Sequence, residues 1–379
     1  MKTMKTHNLF VPTFHVEECL LEIRECLEKG WTGLGFKTVE FENSWKVYTG
    51  LPYAHFLNSA TSGLHLAVKL LKEKYTWEED SEVISTPLTF ISTNHAISYE
   101  NLKVVFADVD EYLCLDPKSV RERITDKTKA VMFVGFGGST GQYKEIEAIC
   151  KEYDLCLILD AAHMAGTQLD GETPGKTADA IVYSFQAGKN LPTADSGMVC
   201  FKDADLDARC RKLAWMGINK DTYSRSEHSN NIYKWKYNIE DIGYKYHGNS
   251  VVASIALVQL KYLDEDNQYR KQLASWYREL LEDSDVVITP IPENCNTSQH
   301  LFTIQVPNRD EVIVKLNERG INPGVHYIDN TLYKMYEYGN GKCPNAASAS
   351  EKLLSLPLHL QLSYEDIKYI SNEFLEIIK

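Results

Sequence analysis

Short apolar runs recur through the first half of the chain, several of them running directly into a stretch with helical spacing. Ala54-His-Phe-Leu57 leads into a helical pattern over 62–74, Glu82-Val-Ile-Ser85 into one over 90–99, and Ala130-Val-Met-Phe-Val134 into one over 143–153. Val104-Val-Phe-Ala107, Cys156-Leu-Ile-Leu159, Ala180-Ile-Val-Tyr183 and Met198-Val-Cys-Phe201 continue the series. Such runs describe strands covered on both faces of a mostly parallel sheet, so an α/β core is predicted. Upstream, Val16, Cys19, Leu20, Ile23 and Leu27 mark one face of a helix, Gly30-Trp-Thr-Gly-Leu-Gly35 interrupts it, and a second helix runs through Trp45. Near residue 250 the pattern changes. Val252, Ile255, Ala256, Val258, Leu260 and Leu263 predict one long helix from Ser250 to about Leu281. Strands at Val286-Val-Ile-Thr289 and His300–Val306, with helices near 310–319 and 364–378, then describe a smaller α+β unit. The expected division is 1–250, a large domain with an N-terminal helical segment, and 251–379, a linking helix with a small domain.

The formal charge of −13 over 379 residues argues against a nucleic-acid partner. Nine cysteines without paired spacing read as reduced core thiols, and no metal site is expected. The first residues lack the apolar core of a signal peptide and no run is long enough to span a bilayer, so the cytoplasm is the expected compartment.

Chemistry enters with Tyr183-Ser-Phe-Gln-Ala-Gly-Lys189, which follows the strand ending Leu159-Asp160-Ala-Ala-His163. A lysine amine forms a Schiff base with the aldehyde of pyridoxal phosphate (PLP), and a carboxylate at the end of a buried strand keeps the pyridine nitrogen protonated. Lys189 and Asp160 suit those roles. Asn58-Ser59-Ala60-Thr61-Ser62-Gly63 stands between a strand and a helix, where backbone N–H groups and hydroxyls can hold a phosphate; taken alone it reads as a Ser/Thr helix cap. Ser184 offers another hydroxyl to the same phosphate. Phe90 follows a strand and can stack on an aromatic ring, although a single such Phe is more often core.

The ordered series Gly30-Trp-Thr-Gly-Leu-Gly35, Ser59-Ala-Thr61, Thr86-Pro-Leu-Thr-Phe90, Phe106-Ala-Asp-Val-Asp110, Asp160-Ala-Ala-His163, Tyr183-Ser-Phe185 with Lys189-Asn190, and Gly243-Tyr-Lys-Tyr246 resembles the DegT/DnrJ/EryC1/StrS family of nucleotide-sugar aminotransferases. The resemblance runs from about Val11 to the end. It implies a fold type I PLP-dependent transferase, aspartate aminotransferase-like, with a large mixed or mostly parallel sheet domain and a small C-terminal α+β domain. Lys189 would be the Schiff-base lysine, Asp160 the pyridinium partner and His163 the neighbour of the cofactor's 3-oxygen. Ala60, Thr61 and Ser184 would hold the phosphate, and Phe90 would cover the ring. The family's Gly-Tyr-Asn-Tyr appears here as Gly243-Tyr-Lys-Tyr246, which makes Lys245, or nearby Asn249, the implied contact to a partner's phosphate across a homodimer. His300, His326 and Tyr327 match positions that meet the nucleotide-sugar substrate. Lys220 and Arg225, in the polar loop 217–235, are either solvated or diphosphate contacts.

The implied reaction moves an amino group from L-glutamate to a nucleotide-diphosphate-linked keto-deoxysugar through PLP and its amine form, PMP, with the 4-keto sugar favoured over the 3-keto. Aminosugars for cell-surface polysaccharides are a usual destination. A sister group that dehydrates its sugar carries histidine in place of the lysine, so Lys189 argues for transamination. Other PLP chemistry and a non-catalytic sensory role are the alternatives.

Overall fold

The computed structural model describes residues 5–219 and 238–379. Lys220 and Arg225 lie outside the described residues. All seven apolar runs are strands of one sheet: β1 (Tyr53–Leu57), β2 (Glu82–Ser85), β3 (Lys103–Phe106), β4 (Thr128–Val134), β5 (Cys156–Asp160), β6 (Ala180–Ser184) and β7 (Gly197–Phe201). Their spatial order is β1-β7-β6-β5-β4-β2-β3. Only β7 runs against the others. Parallel neighbours need crossovers, which the helices supply, whereas antiparallel β6 and β7 are joined by a loop that stays at one edge. Lys189 sits on that loop.

The helices of this half are α1 (Val16–Glu28), α2 (Phe36–Thr49), α3 (Ala60–Lys74), α4 (Ser92–Ser98), α5 (Pro117–Arg123), α6 (Tyr143–Glu152) and α7 (Ala204–Ala214). From α2, Phe41 and Trp45 pack edge-on against Phe56 of β1, Tyr183 of β6 and Phe185 just beyond it. Each of these rings is buried, a contribution of roughly 1.5–3 kcal/mol apiece.

The long helix α8 (Ser250–Leu280) packs on α1 and α2 near its start. Further along, its Leu273 and Tyr277 join a second hydrophobic cluster with Phe302, Ile304, Leu354 and Phe374. That cluster lies between α8, α9 (Arg309–Glu318), α11 (Tyr364–Ile378) and an antiparallel sheet of β8 (Val287–Ile288), β9 (Phe302–Gln305) and β10 (Leu353–Leu356), with α10 (Pro344–Lys352) leading into β10.

The fold departs from the sequence reading in places. Cys19 and Cys26 are the buried residues of α1, while Val16, Leu20 and Leu27 are exposed. The small side chains Ser250 and Ser254 of α8 let α1 approach closely along that narrow strip, with Cys26 Sγ 3.3 Å from Ser254 Oγ. Helices α5, α7 and α10 and strand β10 were not anticipated, although Asp203, which accepts the amides of Asp205 and Leu206, caps α7 in the ordinary way. All nine cysteines are free, and burial pushes Cys150 and Cys156 up to about 12, so these two are poor nucleophiles. No helix among the described residues is long and apolar enough to cross a membrane.

Candidate active site

Strand register brings the chemistry together. Val134 pairs with Asp160 and Asp160 with Val182, while Ser184 and Leu57 both lie opposite Gly197. The C-terminal ends of β1, β4, β5 and β6 therefore meet at one edge, where α/β sheets open a crevice. A cavity of about 880 Å³ lies there, lined by Lys189, Asp160, His163, Ser184, Ala60, Thr61, Phe90, His300, His326 and Tyr327. Lys189 is its one Lys or Arg side chain among the described residues.

The Lys189 backbone N–H donates to Gln186 O at 2.8 Å, which tightens the β6–β7 loop. Burial disfavours the ammonium and lowers it to about 8, against the opposing pull of Asp160. A usable fraction of neutral, nucleophilic amine therefore exists near neutral pH. Asp160 ends β5 and is buried. Its Oδ2 accepts from Thr93 Oγ1 at 2.8 Å and its Oδ1 from the Ala162 N–H at 3.1 Å. Burial raises its pKa, while those two hydrogen bonds and the Lys189 charge pull the other way. Thr93 was not singled out from sequence. Thr89 Oγ1 lies 2.9 Å from Thr93 Oγ1, so when Thr93 donates to Asp160, Thr89 donates to Thr93.

At the start of α3, Ser59 is the cap: its Oγ accepts from the Ser62 N–H at 3.1 Å. The amides of Ala60 and Thr61 are first-turn donors without a carbonyl in their own helix. Gly197 makes room beside them, since a Cβ there would lie 2.5 Å from Ala60 N. Ser184 Oγ accepts from the Gln186 N–H at 3.4 Å. Phe90 is 59% exposed, an aromatic face left open at the cavity.

Three histidines border the site, each with a lowered pKa. Burial is the main cause, and nearby Lys189 adds to it. The His300 Nδ1 lies 2.9 Å from Asn190 Oδ1. Asn190 Nδ2 donates to Ser298 O and Asn267 Oδ1, each at 2.7 Å, so its Oδ1 accepts and His300 is protonated at Nδ1. His326 Nδ1 is 2.8 Å from Ser355 Oγ. His163 and Tyr327 are joined at 3.0 Å through Nε2 and Oη.

Lys245 and Asn249 do not line the cavity of their own chain. The Lys245 ammonium lies 3.5 Å from the centre of the Trp215 ring, a cation–π contact, and Asn249 caps α8 by accepting from the Val252 N–H at 3.0 Å.

A partly neutral amine, a buried carboxylate and helix-start amides, beside which only glycine fits at position 197, match the aldehyde, pyridine nitrogen and phosphate of PLP. Known proteins agree. The sequence profile of the DegT/DnrJ/EryC1/StrS aminotransferase family matches residues 14–375. The dTDP-4-dehydro-2,3,6-trideoxy-D-glucose 4-aminotransferase of Saccharopolyspora spinosa is 32% identical, with 98% of this chain and 97% of that protein covered. The crystal structure of the aminotransferase TlmJ from Streptoalloteichus hindustanus superposes with a TM-score of 0.90 at 30% identity, covering 99% of this chain and 100% of that one. A sugar aminotransferase-like protein of Streptococcus pneumoniae, Spr1654, solved in PMP and PLP forms, is 26% identical. Its PMP form has a TM-score of 0.89 and covers 97% of this chain and 98% of its own. The chain belongs to the DegT/DnrJ/EryC1/StrS aminotransferase family, whose members depend on PLP.

Proposed function

We propose that the protein moves an amino group from L-glutamate to the ketone of a nucleotide-linked keto-deoxysugar, a 4-keto sugar in preference to a 3-keto sugar, within aminosugar biosynthesis. The observation that carries this reading is the pairing, in one cavity, of Lys189 with an amine lowered to about 8 and buried Asp160. The 4-aminotransferase activity for which the Saccharopolyspora relative is named supports the choice of carbon.

PLP, when bound, supplies an electron sink and a carrier for the amino group. Asp160 keeps the pyridine nitrogen protonated, helped by its hydrogen bonds from Thr93 and Ala162, which hold its charged form. The amides of Ala60 and Thr61, with the Ser184 hydroxyl, hold the phosphate, and Phe90 covers one ring face. With PLP bound, the Lys189 amine would hold the aldehyde until an amino donor takes its place, and would then serve as the base that takes a proton from the donor Cα and the acid that returns one to the sugar carbon. His300, His326 and Tyr327 border the substrate.

Glutamate carboxylates and a diphosphate are anionic, yet the described cavity wall holds no cation besides Lys189. In a homodimer, Lys245, lying off its own cavity, would serve the other copy's phosphate, with Asn249 beside it. The reading is tested by mixing the PLP-loaded protein with L-glutamate alone. One equivalent of 2-oxoglutarate per site is expected, with continued production only when a keto sugar is added; steady production without one would refute it.

A further inference from the structure

Lys189 is held on one side by its own backbone N–H and on the other by the side chain of the next residue. Asn190 is buried and does not line the cavity. Its Nδ2 donates to Ser298 O and to Asn267 Oδ1, each at 2.7 Å, and its Oδ1 lies 2.9 Å from His300 Nδ1. Asn267, in the middle of α8, donates in turn from Nδ2 to Ala165 O at 2.9 Å. Both amide orientations are settled by backbone carbonyls, which only accept: Ser298 O requires the amino end of Asn190, and Ala165 O that of Asn267. The two assignments agree, because they make the Asn190–Asn267 contact donor to acceptor. Ala165 belongs to the turn that leaves Asp160, where the Met164 N–H donates to Ala161 O at 2.8 Å.

We propose that Asn190 is a positioning residue: anchored on Asn267, it sets where the Lys189 amine stands relative to Asp160. The inference rests on the reading of Lys189 as the amine that meets the aldehyde. In PLP the ring nitrogen and the aldehyde-bearing carbon lie across the ring from one another, so a protein that binds both must hold its carboxylate and its amine at a matching separation. The lysine loop follows β6 and the carboxylate ends β5. The route Asn190–Asn267–Ala165 ties the loop of one to the turn of the other through α8, whose Leu263 and Leu273 belong to the two hydrophobic clusters. Truncating Asn190 leaves Ser298 O, Asn267 Oδ1 and the His300 Nδ1–H, all on buried residues, without the partner they have now. The loop then relaxes and water reaches the amine, whose low pKa has burial as its main cause.

The experiment follows the Lys189 Cε resonance against pH in unloaded protein labelled with ¹³C-lysine, the signal being assigned by its absence from Lys189→Met. Asp160, His163, His300, His326 and Tyr327 face the amine from the cavity and Asp195 from its own loop. Arg270 and His359 stand on the side of α8, and all of these groups are kept in the variants compared. The wild type should titrate near 8. Asn190→Ala and Asn267→Ala should each raise the midpoint by about one pH unit, cutting both the neutral amine at pH 7 and the rate at which PLP develops a visible band by about tenfold. The double variant should move no further than Asn190→Ala alone. Leu316→Ala, which hollows the second hydrophobic cluster, should lower the urea midpoint and leave the Lys189 titration where it was. An unshifted Asn190→Ala, a double variant whose shift is the sum of the two singles, or a Leu316→Ala that moves the amine as far overturns the inference. If Asn190→Ala fails to fold, Asn267→Ala carries the same test, and ¹⁵N spectra of the wild type decide the amide orientation: a His300 proton on Nδ1 supports it, and one on Nε2 alone overturns it. The titration needs no cofactor. A wild type that titrates near 8 yet develops no visible band with PLP overturns the proposed function, whereas a band with unshifted variants overturns this inference alone.

Discussion

Thr93→Val should destabilise the unloaded protein by about 2.5–4 kcal/mol near neutral pH. Valine keeps the volume and removes the hydroxyl that donates to Asp160 Oδ2 at 2.8 Å. A hydrogen bond to a charged group is worth about 1.5–3 kcal/mol, and the Thr89 hydroxyl, 2.9 Å from Thr93 Oγ1, loses its acceptor for about 1 kcal/mol more. The first part is felt as a further rise in the Asp160 pKa, since the lost hydrogen bond had favoured the charged form. The sign follows from linkage. Burial raises the folded pKa of Asp160 above its unfolded value, so this group costs stability as pH rises from the unfolded value to the folded one, and the cost levels off above it; a still higher folded pKa in the variant extends that cost to higher pH. The deficit should therefore be largest at neutral pH and shrink in mild acid, where the carboxyl is protonated. Urea midpoints of the wild type, Thr93→Val and Thr93→Ser would measure it, serine retaining the hydroxyl. PLP should narrow the gap, because its ring N–H gives Asp160 a new partner. Equal midpoints for the valine and serine variants, or a deficit that grows on acidification, would refute the reasoning.

Lys189→Met should abolish transamination while leaving far-UV circular dichroism unchanged. In the wild type, the folded amine titrates near 8 and the unfolded one near 10.5. The unfolded state thus binds the extra proton between those values, and unloaded wild-type stability should gain a rising component there that Lys189→Met lacks, as urea midpoints against pH would show. Gly197→Ala places a Cβ 2.5 Å from Ala60 N, so PLP affinity should fall by about tenfold or more, read by absorbance titration. If Lys245 serves the other copy's site, mixing and reassembling Lys189→Ala and Lys245→Ala subunits should recover up to roughly a quarter of wild-type activity, since half the dimers carry one intact site.

That Lys189 and Asp160 would share one cavity was legible because the proposed chemistry dictates residue type and place: a carboxylate closing a buried apolar run and a lysine in the loop after a later one. The strands were legible for the same reason, as unbroken apolar runs have few other homes in an α/β protein. Thr93 was not, since a threonine near a helix start looks like any cap, and only the packing of α4 against the end of β5 shows what it holds. Asn249, read through the resemblance as a possible phosphate contact, is seen in the structure to cap α8, a role the sequence reading did not name. The face of α1 was misread because apolarity alone does not tell which side chains will meet the small serines of α8. The Asn190–Asn267 junction joins distant segments of the chain, so no local pattern could announce it.

The most direct test of the central claim supplies the PLP-loaded protein with ¹⁵N-labelled L-glutamate and a panel of nucleotide 4-keto and 3-keto deoxysugars, then locates the label by NMR. Label on C4 of one such sugar, with stoichiometric 2-oxoglutarate, is the result this account predicts. Label on C3 would contradict the choice of carbon, and no label in any sugar, despite an intact visible band, would contradict sugar transamination itself.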